Sequence, residues 1–93
     1  MSFRITIMNF DADRRDELLA YSDSQRENIR AIKGIQSVHV IEVGAGQSIV
    51  ISRYDTEESA EASTEAVQKI FGGMAEFFTA PPERKGGPIM WEM

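Results

Sequence analysis

Every β-strand predicted from this sequence carries apolar side chains on both faces, and this feature limits the fold more than any other. In the first strand, Phe3–Phe10, aromatic and β-branched residues alternate with a second set that includes Met8 and Phe10. The same pattern marks the three other predicted strands, residues 37–43, 48–54 and 88–93. A sheet with one face in water alternates apolar with polar residues. A second layer must therefore cover the other face.

The first helix is predicted between strands one and two. Asp11 or Asp13 can cap its N-terminus, because a carboxylate accepts hydrogen bonds from the free backbone N–H groups there. The helix extends to about Ile32 and is closed by Gly34. Strands two and three form a hairpin around Gly44–Gln47, whose glycines can take the positive φ that such a turn requires.

The second helix begins at a capping box, Asp55–Glu58, with Asp55 as the cap, and ends near Gly72–Gly73. A further helical turn holding Phe77 and Phe78 precedes a proline-containing loop. In the resulting order βαββαβ, right-handed crossovers place both helices on one face of an antiparallel sheet. The sequence thus predicts a single α+β domain, residues 1–93, with a ferredoxin-like fold.

Composition excludes several classes of function. The chain lacks cysteine and has one histidine, which excludes disulfides, thiolate zinc sites, a Ser-His-Asp triad and a histidine-rich metal site. The net charge of −5 and the scattered Lys and Arg residues argue against a nucleic-acid partner. No segment resembles a signal peptide or approaches the ~20 apolar residues of a membrane span. We expect a soluble, cytoplasmic protein without metal, nucleic-acid or membrane partners.

Two short helices can cover only one of the two apolar sheet faces. For a chain of 93 residues, the simplest cover for the other face is a second copy related by a two-fold axis. The alternative is a monomer with an apolar surface, which is disfavoured because patches of that size rarely stay exposed. The sequence therefore predicts a homodimer packed through its sheets.

Nearly the whole chain resembles the dimeric α/β-barrel superfamily, in particular the antibiotic biosynthesis monooxygenase (ABM) domain. The resemblance is carried by Lys33–Ile35 at the helix end, the glycine-containing hairpin, the segment Ile51–Ala60, and the Phe-Phe-Thr-Ala-Pro-Pro loop followed by a tryptophan. It implies a homodimer with a cavity between sheet and helices in each subunit. Members of this superfamily include cofactor-independent quinol oxygenases and haem-degrading enzymes.

The residues that match these activities are few. Haem-degrading relatives use a histidine on the second helix, a strand-one asparagine and a tryptophan at the end of strand three. Here Asn9 matches the asparagine, but the second helix has no histidine and the aromatic residue is Tyr54. Haem degradation is therefore disfavoured. The oxygenase pattern of Asn, Trp and Tyr is echoed by Asn9, Trp91 and Tyr54, so the resemblance makes Asn9 and Tyr54 the candidate catalytic residues.

Six further residues are candidate ligand contacts: Ser22, Gln25, His39, Arg53, Phe77 and Trp91. Ser22 and Gln25 place polar groups on the inward stripe of the first helix, where packing favours leucine. In one interpretation, these two residues line a cavity, and a ligand or a water molecule supplies the hydrogen-bond partners that buried polar groups need. In the other, the helix rotates them to its solvent margin.

The other four candidates have structural alternatives that we favour. His39 either moves a proton or is a structural histidine on a strand. Arg53 either holds a carboxylate or phenolate, or pairs with Glu42 on the neighbouring strand. Phe77 and Trp91 either stack on an aromatic ligand or belong to the core.

Three functions stay open, and the third of them is a purely structural dimer. The first is an ABM-like monooxygenase that needs no cofactor and acts on an aromatic or quinol-like compound. In it, a hydrogen bond from Asn9 or Tyr54 favours a substrate anion that reacts with oxygen. The alternative is a non-catalytic, dimeric ligand-binding or regulatory module that uses the same pocket.

Overall fold

A four-stranded antiparallel sheet forms the centre of the computed structural model, which describes residues 1–93. The strands lie in the order β2-β3-β1-β4, with bounds β1 Ser2–Asn9, β2 Ile35–Gly44, β3 Gln47–Tyr54 and β4 Glu83–Pro88. All neighbouring pairs are antiparallel. This is the strand order of the ferredoxin-like fold, so the predicted α+β architecture is confirmed.

Each predicted helix is divided into two. The helical segments are α1 Arg15–Ser24, α2 Arg26–Arg30, α3 Glu57–Ala62 and α4 Thr64–Gly72, and two 3-10 turns lie at Ala12–Arg14 and Ala75–Phe77. Serine hydroxyls bond to carbonyls one turn back at both breaks: Ser24 to Tyr21, and Ser63 to Ala60. Such bonds compete with the helical backbone pattern. None of the helices has the length and apolar character needed to cross a membrane.

The helices pack on the face of the sheet formed by the even-numbered residues of β1. Met8 and Phe10 from this face and Leu18 from α1 are almost fully buried. The core consists of Met8, Phe10, Leu18, Val50, Met74 and Phe77. The apolar sides of both predicted helices therefore pack against the same face of the sheet, as the sequence predicts.

The opposite face of the sheet is apolar and uncovered within one chain. Ile5 lies opposite Ile51 across the β1–β3 pair, and Ile41 lies opposite Ile49 across the β2–β3 pair. Ile5 is 42% exposed and Ile41 46%. The prediction that the strands are apolar on both sides is confirmed for the three strands β1, β2 and β3.

The predicted final strand, Pro88–Met93, is wrong. The strand that pairs with β1 is Glu83–Pro88, and Pro88 lies opposite Ser2, the first residue of β1. Beyond Pro88, β1 has no residues left to pair in this register. The segment that follows is uncovered, with Trp91 76% exposed. Position relative to β1, rather than apolar content, therefore decides which residues form the strand.

The second predicted helix is capped one residue later than expected, whereas the cap of the first is as predicted. Thr56, not Asp55, is the cap of α3, since its hydroxyl oxygen accepts from the Ser59 N–H at 3.0 Å. The Asp55 carboxylate accepts instead from the Ser59 hydroxyl, and this bond lowers the pKa of Asp55. Gly34 has φ +83°, and a Cβ there would collide with the side chains of Asp55 and Ser59. Asp11 caps the first 3-10 turn, as predicted for the start of the first helix.

Candidate functional site

A cleft of about 780 Å³ opens between the α3–α4 layer and the β1–β4 edge of the sheet. We call it the outer cleft. Its walls combine cationic side chains, Arg4 and Arg84, with the aromatic rings of Phe71 and Phe78. Small-molecule sites in proteins are typically concave and about 300–1,000 Å³ in volume. The outer cleft has the size of such a site.

A second hollow lies deeper, between the helices and the centre of the sheet. This inner cavity measures about 80 Å³ and is lined by 14 residues, 12 of them hydrophobic. Val67 and Phe71 line both hollows. Two side chains of α4 therefore stand between a polar cleft and an apolar cavity.

Tyr54 lies at the end of β3 and is completely buried, with its hydroxyl in a chain of hydrogen bonds. Its oxygen is 3.0 Å from Ser63 Oγ, which is 2.7 Å from the Ala60 carbonyl oxygen. A carbonyl can only accept, so Ser63 gives its one hydrogen to Ala60 and the Tyr54 hydroxyl donates to Ser63. The Tyr54 oxygen then accepts from Arg84 Nη2 at 3.4 Å. Tyr54 thus holds Arg84 and has no hydrogen left to donate to a ligand.

Arg84 has no carboxylate partner. Its only side-chain hydrogen bond is the long one to Tyr54, and its Nε is enclosed without an acceptor. Burial lowers the pKa of the Arg84 guanidinium, and the positive charge of Arg4 acts in the same direction. An arginine nevertheless stays protonated at physiological pH. The outer cleft therefore contains an uncompensated positive charge.

Arg4, by contrast, is neutralised. Its Nη2 lies 2.8 Å from the Glu57 carboxylate, and the Arg4 side chain is only 12% exposed. Ser2 Oγ donates a second hydrogen bond to Glu57. The bonds from Arg4 and then Ser2 lower the pKa of the Glu57 carboxyl. Gly86 on β4 leaves room for Arg4, because a Cβ at this position would overlap the arginine side chain.

The structure does not bring the two candidate catalytic residues together. Tyr54 lies opposite Ser2 and Asn9 opposite Gln47, at the two ends of the β1–β3 pair. By strand alternation they also face opposite sides of the sheet, and the seven residue-to-residue steps from Ser2 to Asn9 span about 23 Å. The Asn9 side-chain oxygen Oδ1 accepts a hydrogen bond from Gln47 Nε2 at 3.2 Å. Within one subunit, Asn9 and Tyr54 cannot contact the same small ligand.

Of the candidate ligand contacts on the first helix, one reaches a hollow. Ser22 lines the inner cavity, and its hydroxyl donates to the Leu18 carbonyl at 2.9 Å. Gln25 lies at the break between α1 and α2 and accepts from Asn28 at 2.9 Å, away from both hollows. The cavity-lining interpretation therefore applies to Ser22, whereas Gln25 is partly buried at the helix break and lines neither hollow.

The two aromatic candidates lie outside both hollows. Phe77 is in the core, only 6% exposed, with the Arg14 guanidinium 4.5 Å from its ring centre. Trp91 follows β4 in the uncovered C-terminal segment. The core interpretation holds for Phe77 and is wrong for Trp91. Phe71 and Phe78 supply the aromatic surface of the outer cleft instead, with ring centres 6.5 Å apart.

His39 and Arg53 lie on the uncovered sheet face. His39 pairs with Ile51 in the β2–β3 register and is exposed. Arg53 lies 5.9 Å from the centre of the Phe3 ring. The expected Arg53–Glu42 ion pair is wrong: Glu42 lies opposite the buried Ser48, on the helix side, and pairs with Arg15 at 2.8 Å. Strand alternation separates the two side chains across the sheet.

Three residues of the outer cleft are not among those predicted from the sequence: Arg4, Glu57 and Arg84. One signal was present, since Arg4 is a charged residue on the same face of β1 as Thr6 and Met8. No comparable signal marks Arg84 in the sequence, because the segment around it is predicted to be a loop. No group of His, Asp and Glu side chains is arranged to hold a metal ion.

No protein-family model matches the sequence, and no curated protein matches it. Solved structures do. The monooxygenase from the gene ActVA-Orf6 of Streptomyces coelicolor, in complex with nanaomycin D, is similar with a TM-score of 0.81 and 12% identity, covering 99% of this chain and 89% of that one. An antibiotic biosynthesis monooxygenase is similar with a TM-score of 0.77 and 11% identity, over 97% and 99% of the two chains.

A third similar structure is a variant of MhuD with two manganese protoporphyrin IX molecules bound per active site. Its TM-score is 0.77 at 12% identity, over 100% of this chain and 98% of that one. At these identities the similarity concerns the fold. The chain has the ferredoxin-like α+β fold of the antibiotic biosynthesis monooxygenase domain proteins.

Proposed function

We propose that this chain is a homodimeric small-molecule-binding protein that acts as a cofactor-independent monooxygenase on an aromatic or quinol-like compound. The observation that carries the proposal is the pair of adjoining hollows, of about 780 and 80 Å³, divided by Val67 and Phe71. A flat ring enters between sheet and α4, and its polar substituents remain in the outer cleft. The nanaomycin D complex of a similar fold supports a ligand of this kind.

The walls of the outer cleft suit an aromatic ring. Phe71 and Phe78 are tilted by 47° to each other and present ring surface towards the cleft. Thr6 and Thr64 add hydroxyl groups that can orient oxygen substituents. Aromatic contacts contribute about 0.5–1.5 kcal/mol beyond the area they bury. Affinity then comes from the rings, and orientation from the polar rim.

The proposed reaction balances without a cofactor. A phenol with a free para C–H reacts with O₂ to give the para-quinone and water. One oxygen atom becomes the new carbonyl, the other leaves as water, and the substrate supplies all four electrons. The protein's part is to favour the phenolate, which donates electrons more readily than the phenol. The cationic Arg84 in the wall of the outer cleft does this, because a positive charge near a phenol favours its ionised form.

The uncovered sheet face supports the homodimer. Ile5, Ile41 and Ile51 share this face, and nothing within the chain covers them. Apolar patches rimmed by polar groups mark protein interfaces, and a two-fold dimer presents the same patch from both subunits. The outer cleft lies on the other side of the sheet. Sheet-to-sheet packing therefore leaves the ligand site open.

A non-catalytic binding module is the second candidate, and one observation favours it. The Tyr54 hydroxyl hydrogen is engaged by Ser63, and the chain's one histidine lies on the other face of the sheet. Glu57 and Glu61 are the carboxylates lining the cleft, and Glu57 is paired with Arg4. A cleft with so few free proton acceptors suits binding without turnover.

Oxygen uptake with a panel of reduced quinols and naphthols separates the two candidates. We expect uptake above the buffer rate with the compounds that calorimetry shows to bind. Binding without stimulated uptake would assign the chain to the non-catalytic module. If no aromatic compound of the panel binds at millimolar concentration, the proposed function is wrong in both forms.

A further inference from the structure

We infer that the outer cleft selects an aromatic carboxylate, and that Arg84 is the residue that recognises its anionic group. The inference rests on the proposed function, because it names the class of compound that occupies the same site. Three observations support it: Arg84 lacks a carboxylate partner, the cleft has an excess of positive charge, and aromatic side chains line the same cleft.

Arg84 differs from the other arginines of the chain. Arg4 and four further arginines each pair with a carboxylate, the four being Arg14, Arg15, Arg26 and Arg30. Arg53 lies on the uncovered sheet face over Phe3. Arg84 alone combines a place in the cleft wall with the lack of an acidic partner.

The surroundings of Arg84 make this lack costly. Its Nε is enclosed and makes no hydrogen bond, and its contact with the Tyr54 oxygen is long at 3.4 Å. Arg84 is half-buried, and withdrawing part of a cation from water without a partner is unfavourable. An anion in the outer cleft supplies the missing partner. Part of its binding free energy then comes from relieving an unfavourable site in the free protein.

The charge balance points to the same class of ligand. Three cations line the cleft, Arg4, Arg84 and Lys85, against two carboxylates, Glu57 and Glu61. The chain as a whole carries a net charge of −5, so this local surplus runs against the overall composition. The count leaves one positive charge in excess, and Arg84 is the arginine of the cleft that no carboxylate engages, since Glu57 pairs with Arg4. One carboxylate matches it, whereas a phosphate dianion would exceed it.

Two aromatic rings in the wall of the outer cleft indicate that the ligand is aromatic. Phe71 and Phe78 line the same cleft as Arg84, and Phe71 also borders the inner cavity. A compound whose carboxylate meets Arg84 therefore places its ring system against these side chains. The carboxylate fixes which edge of the ring faces the sheet.

The test compares two probes of nearly equal shape, 2-naphthoate and 2-naphthamide, by isothermal titration calorimetry at low salt. Charge-assisted hydrogen bonds exceed neutral ones enough to predict that the wild-type protein binds the carboxylate about 10- to 100-fold more tightly. Arg84→Gln should abolish this preference and leave amide binding unchanged within about 3-fold. Arg30→Gln, which removes an exposed cation far from the cleft, should retain it.

Each outcome decides the matter. Equal affinity of wild-type protein for both probes overturns the inference and leaves the proposed function standing, because the ring still binds. Failure of both probes to bind contradicts the proposed function and the inference together. Arg84→Lys covers the case in which the glutamine variant does not fold. It keeps the charge and should retain part of the preference, and a lysine variant that folds and prefers the amide would also overturn the inference.

Discussion

Arg4 and Glu57, which are 53 residues apart in the sequence, form an ion pair of 2.8 Å that joins the first strand to the first turn of α3. The pair lies in the wall of the outer cleft, and Gly86 on β4 makes room for it. Because Glu57 neutralises Arg4, Arg84 is the arginine of the cleft without a carboxylate partner. One carboxylate therefore acts both on the stability of the fold and on the charge of the site.

The pairing predicts a specific dependence of stability on pH. Hydrogen bonds from Arg4 and Ser2 lower the pKa of Glu57 in the folded state. A lowered pKa contributes stability that is present above the unfolded pKa, ordinarily about 4.3, and is lost as the pH falls through the folded value. The melting temperature of Glu57→Gln should thus lie below that of wild type at about pH 6, and the gap should close towards about pH 3.

Glu58→Gln is the matched control for this experiment, because Glu58 lies next to Glu57 on α3, is exposed and forms no ion pair. Its melting temperature should follow that of wild type at both pH values. A gap for Glu57→Gln that stays constant from neutral to acid pH would show that the glutamine acts through packing rather than through its charge.

The uncovered sheet face predicts the assembly state. Ile5→Glu places a charge among apolar side chains that a partner would bury, so the variant should be monomeric where wild type is dimeric. Multi-angle light scattering at micromolar concentration measures this. Leu19→Glu on α1 is the control, since Leu19 is also 42% exposed, and it should remain dimeric. A monomeric wild-type protein would contradict the proposed homodimer.

The sequence predicts those parts of the fold that follow from local patterns. The alternation in β1 specifies its two faces, and Gly34 and Gly46 take the positive φ expected of them, +83° and +73°. The last strand fails because its position depends on distant contacts. The Thr79 N–H donates to the Asn9 carbonyl, which fixes the chain at the end of β1 and makes Glu83 the start of the pairing. An apolar run beyond Pro88 has no neighbouring strand to join.

The candidate site was less accessible to sequence reasoning for the same reason. Tyr54 was singled out by resemblance and does lie between sheet and helices, but its role depends on Ser63 and Arg84, nine and thirty residues away. Arg84 falls in a segment whose glycines and charges suggest a connector. Which arginine lacks a carboxylate is a property of three-dimensional pairing, and no spacing in the sequence encodes it.

The hydrogen-bond chain through Tyr54 predicts a split between stability and specificity. Tyr54→Phe leaves Ser63 and Arg84 without their common partner, so the free energy of unfolding should fall by about 1–2 kcal/mol in urea titrations. Because Arg84 loses the atom that holds it, the variant should also bind 2-naphthoate with a smaller preference over the amide.

Tyr21→Phe is the comparison for this variant. The Tyr21 hydroxyl donates to the Ile70 carbonyl at 3.0 Å and does not contact Arg84. It should lose a similar amount of stability and keep the full preference for the carboxylate. If both variants keep the preference, Tyr54 has only a structural role and Arg84 is positioned by other contacts.

The division between the two hollows predicts a change in ligand size preference. Phe71 lines both the outer cleft and the inner cavity, so Phe71→Ala should join them and admit longer ring systems. We expect the ratio of affinities for anthracene-2-carboxylate and 2-naphthoate to rise by at least about 5-fold, since burying extra ring carbon is favourable. Val67→Ala removes less of the same wall and should shift the ratio in the same direction by less. Fluorescence titration of both carboxylates measures the ratio. A ratio that stays at the wild-type value in both variants would mean that the ligand never reaches the inner cavity, and that the outer cleft alone forms the binding site.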